Sequence, residues 1–206
     1  MEKVDFKKTM KAYWQPPVGK FVVVEVPRLS FIKVDGKGDP NSAADYKSAV
    51  QWLYSMSYGL KFASKAVGRD YGVAPLEGLW WAEDMTSFTQ GDKNNWLWTA
   101  MIMQPDWIDA SAYAACLAKT MGKLGIAPAS LRLEPFEEGL SVQIMHIGPY
   151  SAEAPTIARM HGEFLPANGL VENGHHHEIY ISDPGRTAPD KLKTVIRQPV
   201  RRQLRS

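Results

Sequence analysis

The ten residues from His175 to Pro184, His-His-His-Glu-Ile-Tyr-Ile-Ser-Asp-Pro, place a carboxylate and a phenol two residues apart. Their alternating apolar positions predict a β-strand, and successive side chains of a strand point to opposite faces. Ile179 and Ile181 would then share a face built for a core, while Glu178 and Tyr180 share the other. A carboxylate can act as a general base or hold a cation, and a phenol can hydrogen-bond a ligand. We therefore predict that Glu178 and Tyr180 are catalytic.

Each of these two residues also has a purely structural interpretation. A single glutamate on a strand is commonly solvated or paired with an arginine, and a tyrosine is commonly a half-buried strand aromatic. The tryptophans of the chain favour a functional role for Glu178, because a carboxylate among apolar rings is desolvated. Desolvation disfavours the charged form, so we expect a raised pKa for this glutamate.

The histidine run from His175 to His177 invites a metal hypothesis. Neighbouring residues of a strand alternate between faces, so only His176 would share the face of Glu178. His146 and His161 have no fixed relation to that run, and no Cys pair or His-Glu-x-x-His spacing occurs. No phosphate-binding loop or serine-hydrolase elbow is present either. We therefore expect no metal, and the sequence does not support nucleotide hydrolysis or serine esterase chemistry.

Composition indicates an ordinary globular protein without a nucleic-acid partner. The chain has 206 residues, is 45% hydrophobic and has a net charge of +2, which suits one large domain or two fused small ones. The arginines after position 196 (Arg197, Arg201, Arg202, Arg205) are the only local basic excess and are interpreted as part of a solvated tail. A single cysteine, no signal peptide and no membrane-length apolar run lead us to expect a cytoplasmic protein.

The hydrophobic pattern predicts alternating strands and helices. Helices are expected from Ser42 to Val67, over Ala110 to Leu124, and from a cap at Ser151 to Gly169. The predicted strands cover residues 21–26, 29–34, 78–83, 95–103, 131–136, 140–147 and 194–200, besides the strand that carries Glu178. A hairpin turn is predicted at residues 137–139. We expect an arm over residues 1–20, one domain over 21–200 and a basic tail over 201–206.

The two halves of the domain, about 21–106 and 107–200, form an internal repeat. Phe31–Val34 aligns with Val142–Met145, and Ile102–Pro105 aligns with Ile196–Pro199. Each half has the order strand, helix, strand, strand. This order predicts an α+β fold, in which two antiparallel sheets enclose a ligand cleft and the helices lie on the outer faces.

The same alignment sets Trp80 opposite Tyr180. If the helices cover the outer faces, the free faces would form a groove lined by aromatic side chains and by the Glu178 strand. We predict that Trp80, Trp96 and Trp98 bind ligand there, although each tryptophan could equally belong to a core. An apolar cleft with few polar groups is typical of a small-molecule site.

The chain resembles the GyrI-like small-molecule-binding superfamily. The similarity lies in His146-Ile147-Gly148-Pro149-Tyr150, in Glu178-Ile179-Tyr180-Ile181-Ser182-Asp183-Pro184 and in the duplicated layout. Pro75–Trp81, Asn95–Trp98 and Lys193–Pro199 further resemble the branch described as cyclopropanoid cyclopropyl hydrolases. The resemblance implies a bacterial protein with an acidic residue facing aromatic walls, at the position of Glu178. Tyr150 and His176 join the tryptophans as predicted ligand-binding residues.

Two functions follow from this resemblance. The branch implies an enzyme that detoxifies DNA-alkylating natural products by hydrolysing their strained cyclopropane, with no metal or cofactor. The superfamily implies a non-catalytic multidrug binder or sensor of aromatic, cationic compounds. The first 20 residues are too short for the DNA-binding domain of its regulators, so we expect no nucleic-acid contact on this chain. The natural substrate and the oligomeric state stay open.

Overall fold

A computed structural model describes residues 3–83 and 93–203 and shows helices and antiparallel strands. The helices are α1 (Phe6–Thr9), α2 (Lys11–Trp14), α3 (Ala44–Ala66), α4 (Ala110–Leu124), α5 (Ala154–Arg159) and α6 (Leu165–Ala167), with a π-helical turn (Met160–Phe164) between the last two. The strands are β1 (Val22–Lys37), β2 (Leu76–Trp81), β3 (Leu97–Gln104), β4 (Arg132–Ile147), β5 (Leu170–Glu172), β6 (His176–Tyr180) and β7 (Lys193–Arg202). The predicted α+β class is confirmed.

The chain divides into two compact units, and the first comprises residues 1–9 and 29–136. Within it, β3 pairs antiparallel with both β1 and β2. Helix α3 packs on this sheet, since Gln104 at the end of β3 donates a 3.0 Å hydrogen bond to Ser57 of α3. Helix α4 begins at the predicted residue because Asp109 caps it, accepting from the Ala112 amide at 2.8 Å.

The second unit comprises residues 10–28 and 137–206. Here β7 pairs antiparallel with β4, β6 and the short strand β5. The helical segment from α5 to α6 covers one face of this sheet, and its core consists of buried aliphatic side chains and one methionine: Val142, Ile144, Met160, Leu165, Leu170, Ile196 and Val200. In each unit, the last strand thus pairs antiparallel both with the strand directly before it in the chain and with the long strand that precedes the helix.

The strand registers correct the alignment of the repeat. Ile32 pairs with Ile102 in the first unit, and Ile144 pairs with Ile196 in the second. With Ile102 and Ile196 equivalent, Ile32 corresponds to Ile144, whereas the sequence alignment set it against Gln143. That alignment is wrong by one residue for this strand, and a one-residue slip moves every side chain to the opposite face.

The tryptophan alignment is also wrong, by two residues. Gly78 pairs with Ala100, and Tyr180 pairs with Thr194, the position equivalent to Ala100. Tyr180 therefore corresponds to Gly78 and not to Trp80. Residues two apart on a strand point to the same face, so Trp80 and Tyr180 still lie on equivalent faces of their two sheets.

Two predicted breaks do not occur. The expected hairpin at residues 137–139 lies inside the continuous strand β4, where Gly139 adopts a φ of +72° that accommodates a local irregularity. Pro27 lies inside β1, and the ladder from β1 to β3 begins only at Ser30, so the missing amide donor of Pro27 leaves that ladder intact.

Two predicted helix caps are also displaced. Helix α3 begins after Ala43 and not after Ser42. Ser151 lies in a 3₁₀ turn (Tyr150–Ala152), and the residue that precedes helix α5 is Glu153. Among the described residues, none of the helices combines the length and apolarity needed to cross a bilayer.

Candidate functional site

Two polar side chains on the same face of β6 as Glu178 bind its carboxyl group. The Nε2–H of His176 donates to Glu178 Oε1 at 3.1 Å, and the Tyr180 hydroxyl donates to Oε2 at 2.8 Å. Positions 176, 178 and 180 share a face because a strand has a period of two. The structure therefore brings these three predicted site residues together. Glu178 is enclosed but accessible, with 15% of its side chain exposed.

The turn between β4 and α5 supplies the second wall of this cluster. Tyr150 packs edge-on against Tyr180, with ring centroids 5.5 Å apart. The turn is held by the imidazole of His146, whose Nε2 lies 3.3 Å from the carbonyl oxygen of Pro149. Gly148 has a φ of +137°, a conformation that favours glycine. Tyr150, another predicted ligand-binding residue, thus lies beside the Glu178 strand.

Glu153, at the end of the same turn, was not found from the sequence. This residue is 4% exposed, and its carboxyl group is one of the causes that lower the pKa of Glu178. The only local signal was an acidic residue at a helix start, which is a common stabilising feature.

The pKa of Glu178 is lowered, so the predicted rise is wrong. Burial is the largest influence and raises the pKa, but the hydrogen bonds and charge of His176, the Tyr180 hydroxyl and the Glu153 carboxyl outweigh it. Hydrogen bonds to the charged form of an acid stabilise that form. Glu178 is therefore a carboxylate at neutral pH, surrounded by donors.

The Glu178 cluster lies on the helix-bearing face of its sheet, not on the free face that was predicted. Glu178 pairs directly with Ile196, and paired residues of adjacent strands point to the same side. Ile196 packs in the core with Met160 and Leu165 of the helical segment. In the first unit, Leu76 occupies the place of Glu178, because it pairs with the equivalent Ile102.

The opposite face of β6 carries a different buried network. His177 Nδ1 lies 2.7 Å from Glu138 Oε1, and Arg197 donates to Glu138 Oε2 at 2.8 Å. Arg197 also donates to Gln143 and to the carbonyl oxygen of Tyr13, which holds helix α2 on this unit. The assignment of Arg197 to a solvated basic tail is wrong, and Arg205 lies outside the described residues.

The predicted tryptophans form an aromatic cluster within the first unit. Trp80 and Trp98 pair directly across β2 and β3, and Trp96 lies two residues before Trp98 on the same face. The rings of Trp80 and Trp96 are 6.0 Å apart, and Tyr46 of α3 packs edge-on against Trp98 at 5.0 Å. This cluster also lies on the helix-bearing face, together with Gln104.

The three tryptophans differ in accessibility. Trp98 is 1% exposed and lies so close to Gly36 that a Cβ added there would overlap the indole ring. Trp80 is also buried, while Trp96 is half-buried, with the Lys93 ammonium 5.4 Å from its ring centroid. Trp96 is therefore the tryptophan that a ligand can contact with the least rearrangement.

No three His, Cys, Asp or Glu side chains within residues 3–83 and 93–203 are arranged to hold a metal ion. The polar groups around Glu178, from His176 and Tyr180, instead donate hydrogen bonds to its carboxylate.

Comparison with known proteins identifies a family and several similar structures. The model of the GyrI-like small molecule binding domain matches residues 20–201. A conserved protein of Listeria innocua, described as uncharacterized, is 39% identical with a TM-score of 0.89, covering 97% of this chain and 100% of its own. Two further Listeria innocua structures, each described as a hydrolase, are 38% and 36% identical with TM-scores of 0.86 and 0.82 and the same coverage. No functionally curated protein matches this chain.

Proposed function

Because the chain belongs to the family of GyrI-like small-molecule-binding domains, we propose that it hydrolyses cyclopropane-containing, DNA-alkylating aromatic toxins. The observation that carries the proposal is the enclosed but accessible carboxyl group of Glu178, which accepts hydrogen bonds from His176 and Tyr180 and whose pKa is lowered. The two Listeria hydrolases support an enzymatic role, as does the resemblance of Pro75–Trp81 and Lys193–Pro199 to the cyclopropyl hydrolase branch.

The carboxylate of Glu178 can position one further donor. A carboxylate has about four acceptor positions, and His176 and Tyr180 occupy two of them. In the proposed mechanism one of the others accepts a hydrogen bond from the attacking water. A water held by a fixed carboxylate already has the orientation that attack requires, which removes much of the entropic cost of the step.

The proposed reaction adds one water to the substrate. The substrate class is a cyclopropane fused to a conjugated dienone. The water oxygen bonds to the ring methylene carbon while Glu178 accepts a proton from that water. The bond between this carbon and the dienone ring breaks, and its electron pair moves to the carbonyl oxygen, which is protonated to give a phenol. Relief of ring strain and formation of the aromatic ring drive the step without a redox partner.

The other candidate residues have binding roles in this proposal. The edge-on pair of Tyr150 and Tyr180 offers an aromatic surface next to the reacting carboxylate. Trp80, Trp96 and Trp98 remain predicted ligand-binding residues, and the half-buried Trp96 is the first to test. His176 supports catalysis by holding Glu178 ionised.

The test compares the wild type with Glu178→Gln in the presence of a cyclopropane-dienone alkylator. We expect the wild type to give a product heavier by one water, as measured by mass spectrometry. The variant should lose this product while retaining ligand affinity, as measured by tryptophan quenching. Glu137→Gln is the matched control, because Glu137 is an exposed glutamate of the same unit. Equal hydrated product from both glutamine variants would refute a role for Glu178 in the chemistry.

A non-catalytic binder of aromatic cations is the second candidate. The ionised Glu178 beside the rings of Tyr150 and Tyr180 is the observation that favours it, since carboxylates and aromatic faces both attract cations. Binding of an alkylator by wild type without any hydrated product would favour this function over hydrolysis. The affinity for a cationic aromatic probe should then be lower in Glu178→Gln than in wild type and unchanged in Glu137→Gln.

A further inference from the structure

The side chain of Thr194, on strand β7, has a buried hydroxyl without a hydrogen-bond partner. Thr194 is 0% exposed, and within residues 3–83 and 93–203 no donor or acceptor lies within bonding distance of its Oγ1 atom. A buried hydroxyl that makes no hydrogen bond has lost its bond to water and gained nothing in return, so it lowers the stability of the fold. Such groups are rare in folded proteins and require an explanation.

Strand pairing places this hydroxyl on the same face as Glu178. Thr194 pairs with Tyr180 of β6 on one side and with His146 of β4 on the other. Paired residues of antiparallel strands point to the same side of the sheet. Glu178 lies two residues before Tyr180 and therefore shares this face. Since Glu178 itself pairs with Ile196, it is a diagonal neighbour of Thr194, at about 7–8 Å.

The polar neighbours of Thr194 already bind acceptors of the protein. The Tyr180 hydroxyl donates to Glu178 at 2.8 Å, and the His146 Nε2 lies 3.3 Å from the carbonyl oxygen of Pro149. Thr194 differs from them, because none of the described acceptors takes its hydrogen. A hydroxyl donor carries no charge, so it suits a neutral oxygen atom of a ligand.

The first unit shows that the fold does not require this hydroxyl. Ala100 occupies the place of Thr194, since it pairs with Gly78 as Thr194 pairs with Tyr180. Ala100 is as deeply buried as Thr194. The neighbouring positions also have non-polar residues in the first unit: Val34 in place of His146, Gly78 in place of Tyr180 and Leu76 in place of Glu178. Polar residues at all four positions of one unit and at none of the other indicate a role in function.

We propose that Thr194 is a ligand-binding residue of the Glu178 site, and that its hydroxyl donates a hydrogen bond to a carbonyl oxygen of the bound molecule. The dienone of the proposed substrate class has such an oxygen. The diagonal distance from Glu178 to Thr194 is one that a six-membered ring with its substituents can bridge. The electron pair released by ring opening moves to this oxygen, and a hydrogen bond to a charged acceptor is stronger than one to a neutral acceptor. The bond would therefore favour the transition state over the bound substrate.

A ligand reaches the Thr194 hydroxyl only after side chains have moved, because the residue is fully buried. Tyr150 is the more exposed ring of its edge-on pair with Tyr180, with 40% of its surface accessible. The role of Thr194 in the reaction rests on the proposed function, while the missing partner of its hydroxyl does not.

The Thr194→Val variant tests the missing partner without any ligand. Valine has the shape of threonine but no hydroxyl, so the urea midpoint of Thr194→Val should lie above that of wild type. Thr99→Val is the matched control, because Thr99 is also a buried strand threonine, but its hydroxyl donates to Asp35 at 2.7 Å. The midpoint of this control should fall. A midpoint of Thr194→Val at or below that of wild type would overturn the inference.

Two probes test the contact with a ligand: a cyclopropane-dienone alkylator, and N-methylacridinium, an aromatic cation without an acceptor oxygen. Thr194→Val should bind the dienone about twofold to tenfold more weakly than wild type, which is the equivalent of one neutral hydrogen bond. Thr194→Ser keeps the hydroxyl and should retain most of this affinity. Both variants should bind the cation as wild type does. Equal dienone affinity in wild type and Thr194→Val, or the same loss for both probes, would refute the role.

The failure of hydrolysis would be recognised separately. If the wild type binds the dienone through Thr194 but forms no hydrated product, the proposed reaction is wrong and the role of Thr194 stands. If Thr194→Val forms hydrated product at the wild-type rate and with wild-type affinity, the reaction stands and the role of Thr194 is wrong. A wild type that does not bind the dienone would overturn both.

Discussion

The buried ion cluster of Glu138, His177 and Arg197 makes a specific prediction about stability in acid. All three side chains are at most 2% exposed, and both oxygens of Glu138 are bonded, at 2.7 and 2.8 Å. Burial raises the pKa of Glu138, but the charges and hydrogen bonds of His177 and Arg197 lower it to about 2. The variant that tests this is Glu138→Gln, which keeps the shape and removes the charge.

The sign and size of the effect follow from the shift in pKa. A carboxyl with a lower pKa in the folded than in the unfolded state stabilises the fold above its unfolded pKa. The stabilisation from Glu138 is therefore complete above pH 4.5 and is lost as the pH falls towards about 2. Each unit of difference between the folded and unfolded pKa corresponds to 1.36 kcal/mol, so the ionised Glu138 contributes about 3 kcal/mol to the free energy of unfolding.

The assay is urea unfolding of wild type and variant across this pH range. At pH 6 we expect Glu138→Gln to lower the free energy of unfolding by about 3–5 kcal/mol, because it leaves the charge of Arg197 buried without its counter-charge. The difference between the two proteins should shrink by about 3 kcal/mol as the pH approaches 2. Glu137→Gln, at an exposed neighbouring position, should behave like wild type. A difference that does not change with pH would refute the assignment of the charge to Glu138.

Three further changes have defined outcomes. Gly36→Ala should lower the free energy of unfolding in urea by about 1–3 kcal/mol, because the new Cβ overlaps the Trp98 indole. Asp109→Ala should cost about 1 kcal/mol by removing the cap of α4, whereas Asp109→Asn should cost less, as measured by thermal unfolding. Tyr180→Phe removes one donor from Glu178, so the pKa of that carboxyl should rise and the acid limb of activity or cation binding should move to higher pH.

Local signals in the sequence predicted the elements whose ends are set locally. Helix α4 runs from Ala110 to Leu124 as predicted, because Asp109 caps its start and Gly125 ends it with a φ of +87°. The convergence of Glu178 with its neighbours two residues away was also predictable, since it depends only on the period of a strand. These features require no knowledge of the tertiary structure.

The predictions were wrong for features that depend on contacts between residues distant in the sequence. Glu-Glu-Gly at residues 137–139 has the composition of a turn, but Glu138 is required inside the sheet by Arg197, 59 residues away. The repeat was detected from the order of its elements, yet residue types could not fix its register. The sequence alignment set Ile32 against Gln143, whereas the strand pairing makes Ile32 equivalent to Ile144. A register is determined by pairing between strands, which composition does not encode.

The charge of Glu178 shows most clearly where inference from sequence stops. Desolvation was predictable from the aromatic content of the chain, and by itself it would make this glutamate a neutral acid. The sign of the shift in the pKa was decided by three neighbouring side chains, of which two lie on the same strand and one, Glu153, lies 25 residues earlier on another element. Burial and donors act in opposite directions, so knowing one without the other cannot give the sign.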